Sequence, residues 1–223
     1  MKKVLIIGLA AACAMQSTTV PAQFGGLGKI AKGVMGGGGG TATSTDADGF
    51  LTNATRSTKN VMISAALLAQ AVTDRAGLSG RKAQIEALQK VQDIKELSAH
   101  KEMLQSDLAT LNQRSDLAGD LSAAYKAGDD QQKKLIGTAV GNLAIGIARN
   151  MQLAGQSSGL VSGIGSNPAL ASRAGQFKTA AGLVGLQAKG LGGIATTMPK
   201  LLAAARVSGP KEAAASEPQP VTF

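Results

Sequence analysis

Apolar residues recur at helical spacing in four stretches of this chain, separated by glycine-rich or polar breaks. The first stretch opens near Thr45 or Asp46, whose side-chain oxygens can cap free amides, and runs to about Ala76 before Gly77. Its centre, Val61 to Val72, is apolar apart from Ser64 and Gln70. Twelve residues are too few to cross a bilayer, so this centre predicts a buried helix surrounded by partners. The second stretch opens at Ser79 or Gly80 and continues to Lys126 before Gly128. Leu97, Leu104, Leu111, Ala118 and Tyr125 recur every seven residues, with Leu108 reinforcing the stripe and Ile85, Leu88, Val91 and Ile94 preceding it. Charges alternate on the other faces, the pattern of a coiled-coil-like helix. Unbroken, it would be about 70 Å long at 1.5 Å per residue, so it predicts either an elongated molecule or a bend, with Gly119 as the expected kink.

Asp129 and Asp130 are placed to cap a third helix from Gln131 to about Gln156, followed by a Ser/Gly-rich loop to Pro168. A fourth helical region, Ala169 to Arg206, is expected to break at Gly190-Leu191-Gly192-Gly193 and at Pro199. The fold class that follows is all-α: a bundle of about four helices over residues 45–208. A flexible Gly-rich segment at 23–44 precedes it and a disordered Ala/Pro/Glu tail at 209–223 follows. The run Gly36 to Gly40 has too much backbone freedom to hold one conformation. Phe24, Leu27, Ile30, Val34 and Met35 just before it share a weak amphipathic pattern.

The first twenty-two residues are of another kind. Lys2 and Lys3 precede an apolar run from Val4 to Met15, then Gln16 to Thr19 and Val20-Pro21-Ala22. This is the layout of a bacterial secretory leader cut after Ala22, and it predicts an exported, periplasmic or secreted chain beginning near Gln23. Cys13, the single cysteine, lies inside the leader. A lipid anchor on Cys13 is the second reading; it would leave a twelve-residue leader, and Ala10 stands where such sites usually carry leucine. With the leader removed there is neither a disulfide nor a thiolate metal site.

Composition narrows the function classes. Aromatic residues are limited to Phe24, Phe50, Tyr125, Phe177 and Phe223, with no Trp. That argues against an extended sheet, against sugar-stacking platforms and against base-stacking surfaces, so no nucleic acid partner is expected. Charge is uneven: residues 81–134 balance nine Lys/Arg against nine Asp/Glu, whereas residues 135–209 carry six cations and no acid. Those six, Arg149, Arg173, Lys178, Lys189, Lys200 and Arg206, are candidate contacts to an anionic lipid or wall polymer. The alternative is that sparse charge merely keeps an apolar region soluble. The pairs Gly137/Gly141 and Gly182/Gly185 are candidates for close helix packing between the third and fourth helices.

Sequence motifs for catalysis or metal binding are fragmentary. Asp46-Ala47-Asp48-Gly49 resembles the middle of a calcium loop, but Ser44 and Thr55 stand where its terminal carboxylates belong. Ser79-to-Lys82 and Ser98-to-Lys101 fit S-x-x-K without the partner motifs of serine acyl-transferases. Gly190 to Ala195 fits G-x-G-x-x-A, but helix rather than strand precedes it, favouring a hinge or close-packing site. His100, the single histidine, falls on a solvated helix. No cofactor, metal site or catalytic set is expected. The chain reads as a non-enzymatic, exported envelope component acting through a protein partner or self-association. A membrane-active protein, whose apolar helices exchange mutual contact for lipid, is the alternative.

Overall fold

The computed structural model describes residues 44–74, 78, 80–164 and 167–223, and every regular element among them is a helix. The leader, Cys13, the amphipathic pattern at 24–35, the glycine run and Ser79 lie outside the described residues. Three long helices form the frame: α1 (Ser44–Thr73), α6 (Asp130–Ile164) and α8 (Ala174–Ala204). Between α1 and α6 the chain makes four shorter helices, α2 (Lys82–Lys90), α3 (Ile94–Ser98), α4 (Lys101–Asn112) and α5 (Leu117–Ala127). A single turn, α7 (Pro168–Ala171), links α6 to α8. α1 packs most extensively on α6, and α6 on α8, while the α2–α5 arm lies across α1 and α8. The bundle therefore has four members, one of them segmented, and the all-α expectation holds.

The expected long second helix is broken three times, and none of the breaks is at Gly119. α2 ends at Val91, whose backbone is extended, and Asp93 caps α3 by accepting from the Lys95 amide at 2.6 Å. Lys59 of α1 reaches over and donates to the Gln89 and Val91 carbonyls at 3.3 and 2.9 Å, satisfying acceptors that the break exposes. A second break falls at Ala99-His100, the third at Gln113 to Asp116. Asp116 caps α5 through the Gly119 amide at 2.9 Å, so Gly119 belongs to a helix start. The apolar stripe keeps its purpose throughout: Ile85, Leu88, Leu97, Leu104, Leu111 and Leu121 are all fully buried.

α6 begins as the sequence suggests, with a reciprocal capping box. Asp129 accepts from the Gln132 amide at 2.8 Å, and Gln132 accepts from the Asp129 amide at 3.1 Å. It then continues to Ile164, through the Ser/Gly segment expected as loop. α8 likewise runs unbroken through Gly190 to Gly193 and Pro199, contrary to expectation.

Apolar residues from all the long helices meet in one core, with Met62, Leu67, Leu143, Phe177 and Ile194 fully enclosed. A polar seam runs inside it. Asn60 donates to the Asn142 carbonyl at 2.6 Å, Asn150 to the Val184 carbonyl at 3.3 Å and Gln187 to the Thr58 hydroxyl at 2.8 Å. Each bond joins two long helices at one register, because a slipped register would leave these buried groups unpaired.

Candidate functional site

The described residues form a cleft between α1 and α6 that holds a piece of the chain's own carboxy terminus. α8 ends in a Schellman motif: the Val207 amide donates to the Leu202 carbonyl at 2.9 Å and the Arg206 amide to the Ala203 carbonyl at 3.1 Å. Arg206 occupies the left-handed position with φ of 54°, where glycine is usual. The chain then crosses α6, where Val207 sits against Gly137 and Gly141. It arches away over a partly open cleft of about 750 Å³ lined by Lys133, Lys134, Arg206 and Ser208 among others. Residues 214–221 return along α6 toward α2. The tail expected to be disordered is therefore docked.

Side chains of the cleft grip this segment mainly by its backbone. Asn142 uses both ends of its amide on Gln219, accepting from the backbone N–H at 2.8 Å and donating to the carbonyl at 2.7 Å. Gln89 donates to the Val221 carbonyl at 2.9 Å. Arg149, seven residues after Asn142 and so on the same face of α6, donates to the Ala214 and Ser216 carbonyls at 3.0 and 2.7 Å. The segment's own shape is favourable: Pro218 and Pro220 fix their φ and push Glu217 and Gln219 toward extended backbone. Val221 is buried as an apolar anchor and Phe223 packs partly against the core, while Gln219 and Pro220 face solvent. Glu217 pairs with Arg149 at 3.3 Å and more loosely with Arg56 at 4.0 Å. Because that carboxylate is mostly exposed, the pairs add little beside the backbone bonds. Beside the segment remains a cavity of about 360 Å³ lined by Arg56, Lys59, Asn60, Ile63 and Gln89.

The six candidate cations do not form one surface. Arg149 is largely buried and belongs to the cleft, not to an anionic contact face. Arg173 pairs with Asp48 of α1 and stands 5.8 Å from the centre of the Phe177 ring. Arg206 is the cap of α8. Only Lys178, Lys189 and Lys200 share a face: steps of eleven residues return to almost the same side of a helix, about 16 Å further along. All three are exposed on α8.

The glycine pairs also separate. Gly137 and Gly141 do make room, but for the Val207 side chain rather than for a helix backbone. A Cβ on Gly182 or Gly185 would meet no other element within 4 Å, so these two make no close helix packing among the described residues. The close approaches lie elsewhere. A Cβ on Gly146 would stand 2.6 Å from Val61, and one on Gly190 2.6 Å from Leu108. Asn112 donates to the Gly190 carbonyl at 2.7 Å, which makes the G-x-G-x-x-A segment a packing site against α4 and not a hinge. Asp46 and Asp48 lie in the first turns of α1, and Ser98 at the end of α3 donates to the Lys95 carbonyl at 2.6 Å. His100 is half-buried at the start of α4 rather than fully solvated. No group of three or more metal-ligating side chains occurs among the described residues.

Asn142 and Gln89 carried no motif. The one signal for Asn142 was a lone amide inside the apolar run Leu135 to Ala148, where an unpaired polar group would be costly. Compared with known proteins, the chain matches no family model, no curated protein and no solved structure.

Proposed function

We propose that this protein is an exported, non-enzymatic helical component of the bacterial envelope that works by binding a protein segment in the α1/α6 cleft. The observation that carries the reading is the two-bond grip of Asn142 on the Gln219 backbone, flanked by Gln89 and Arg149. Amide and guanidinium groups aimed at main-chain atoms recognise an extended chain largely regardless of its side chains. A buried apolar anchor supplies the remaining selectivity. The export part rests on the leader pattern of residues 1–22, and mass spectrometry of the mature amino terminus tests it: a start at Gln23 is expected.

The binding part is tested on the chain with its own tail undocked. Gln219→Pro removes the N–H that Asn142 accepts, and Val221→Asp removes the apolar anchor. A fluorescent peptide of residues 212–223 should then bind this variant saturably. Adding Asn142→Ala should weaken binding about tenfold, the equivalent of about 1.4 kcal/mol for two hydrogen bonds. A folded variant that ignores the peptide defeats the reading.

A second reading is favoured by one observation, the face of α8 with Lys178, Lys189 and Lys200 and no acid anywhere in residues 135–209. It fits adsorption to an anionic lipid or wall polymer. Binding to anionic vesicles should fall with salt and with the triple change of these lysines to Gln. The apolar helix centres at 61–72 and 135–148 lie mostly in the shared core, 180–195 buries one face with Leu183, Val184, Leu191 and Ile194, and among the described residues no helix is long and apolar enough to cross a membrane.

A further inference from the structure

We infer that the α1/α6 cleft takes the carboxy-terminal segment of a second copy of this chain, so that two molecules exchange their tails. The inference rests on the reading of the cleft as a segment-binding site and names its occupant. Among the described residues, the bonds that hold the docked segment come from side chains of α2 and α6, as they would for a separate peptide. Every copy carries the same segment: Pro218 and Pro220 to set the backbone, the main chain of residue 219 to meet Asn142 and Val221 to fill the anchor site.

The connection to the tail is the part of the fold best suited to being redirected. After Ala205, which is buried in the core, Arg206, Val207, Ser208 and Pro210 line a partly open space of about 750 Å³ against α6. The hinge is Arg206, a non-glycine residue in the left-handed region, where a side chain is disfavoured. Opening the arch sacrifices the Val207 contact with Gly137 and Gly141 and the Val207 N–H bond to the Leu202 carbonyl, while the cleft of each molecule is refilled by an identical tail. Exchange therefore leaves the cleft bonds unchanged in number and is governed by concentration. A short tether gives its own tail an effective concentration in the millimolar range, so the closed single chain dominates in dilute solution and exchange grows with crowding.

The test uses the chain starting at Gln23, which has no cysteine. Gln89 and Val221 are brought together by the 2.9 Å hydrogen bond between them. One isotopically labelled population carries Gln89→Cys and an unlabelled one carries Val221→Cys. They are refolded together at rising concentration and treated with a short bis-maleimide. Expected is a crosslink between labelled and unlabelled chains, rising with concentration, about tenfold above a control pairing Lys189→Cys with Val221→Cys. Asn142→Ala in both populations should return it to the control level. Two results overturn the inference. If the mixed pair stays at the control level while a single chain with both substitutions crosslinks internally, the tail docks only on its own body and the segment-binding reading survives. If neither crosslinks, the cleft does not hold the tail, and that reading falls as well.

Discussion

The α2–α5 arm and α8 answer the same question in opposite ways. The arm is rich in good helix formers, has a sustained heptad stripe and contains one glycine between Lys82 and Ala127, yet it breaks three times. α8 contains Gly190, Gly192, Gly193 and Pro199 and stays continuous for 31 residues. Intrinsic propensity therefore does not decide continuity here. A straight arm of about 70 Å would overhang α1, which spans about 45 Å, and leave part of its leucine stripe in water. Folding it back against α1 and α8 buries that stripe, and Asp93, Asp116 and Lys59 satisfy much of the backbone exposed at the breaks. In α8 burial keeps a helix whole that local preference would break. An interior proline costs about 3 kcal/mol, but Ile194, Met198, Leu201 and Leu202 around Pro199 are buried at roughly 1.5–3 kcal/mol each.

The largest effect is expected where the arm and α8 touch. Gly190→Val places a branched side chain against the Leu108 stem, with 2.6 and 3.2 Å from its Cβ to Leu108 atoms. Overpacking of this kind should lower stability by about 2 kcal/mol, read as a drop in the urea midpoint without a change of slope. Removing the arm's caps comes next. Asp93→Ala and Asp116→Ala should each cost about 1 kcal/mol, and because the sites are far apart the double variant should be additive. If the arm were held in segments by propensity alone, neither would matter. Gly182→Ala tests the open face of α8: with nothing within 4 Å, it should stabilise by about 0.5–1 kcal/mol, opposite in sign to Gly190→Val.

The smallest effect is a pH dependence inside the arm. Asp107 of α4 is buried and pairs with Arg81 at 3.0 Å, and its Oδ2 has no hydrogen-bond partner among the described residues. Burial raises its pKa above the usual carboxylate value, and the Arg81 charge and hydrogen bond only partly oppose this. A raised folded pKa means that this group's stabilisation is complete below the unfolded value and is lost as pH rises through the folded one. Asp107→Asn removes the titration. The stability of the variant minus that of the wild type should therefore increase from acid pH to neutral pH, measured by paired denaturation curves.

Much of the candidate site was illegible for a reason specific to its chemistry. Asn142, Gln89 and Arg149 act on carbonyls and an amide up to 132 positions away in the chain, and backbone atoms leave no trace in a sequence. Arg149 reads as a surface cation because its partners, the Ala214 and Ser216 carbonyls and the Glu217 carboxylate, lie 65 to 68 positions away in the chain. Lys178, Lys189 and Lys200 were legible, since a shared helix face follows from spacing. The caps were also partly legible: Asp129 reads as one, and Asp93 with Glu96 has capping-box spacing inside a stretch that reads as continuous helix.

By itself the sequence determined the helical class, the faces that become core and most of the places where the long helices start. These follow from apolar spacing and capping oxygens, which act within a few residues. Only the tertiary structure decided where the second stretch breaks, that α8 does not, which glycines are crowded and that the tail has a place to bind. Those outcomes depend on lengths matched between distant helices and on side chains meeting remote backbone, and burial in that context outweighs local preference.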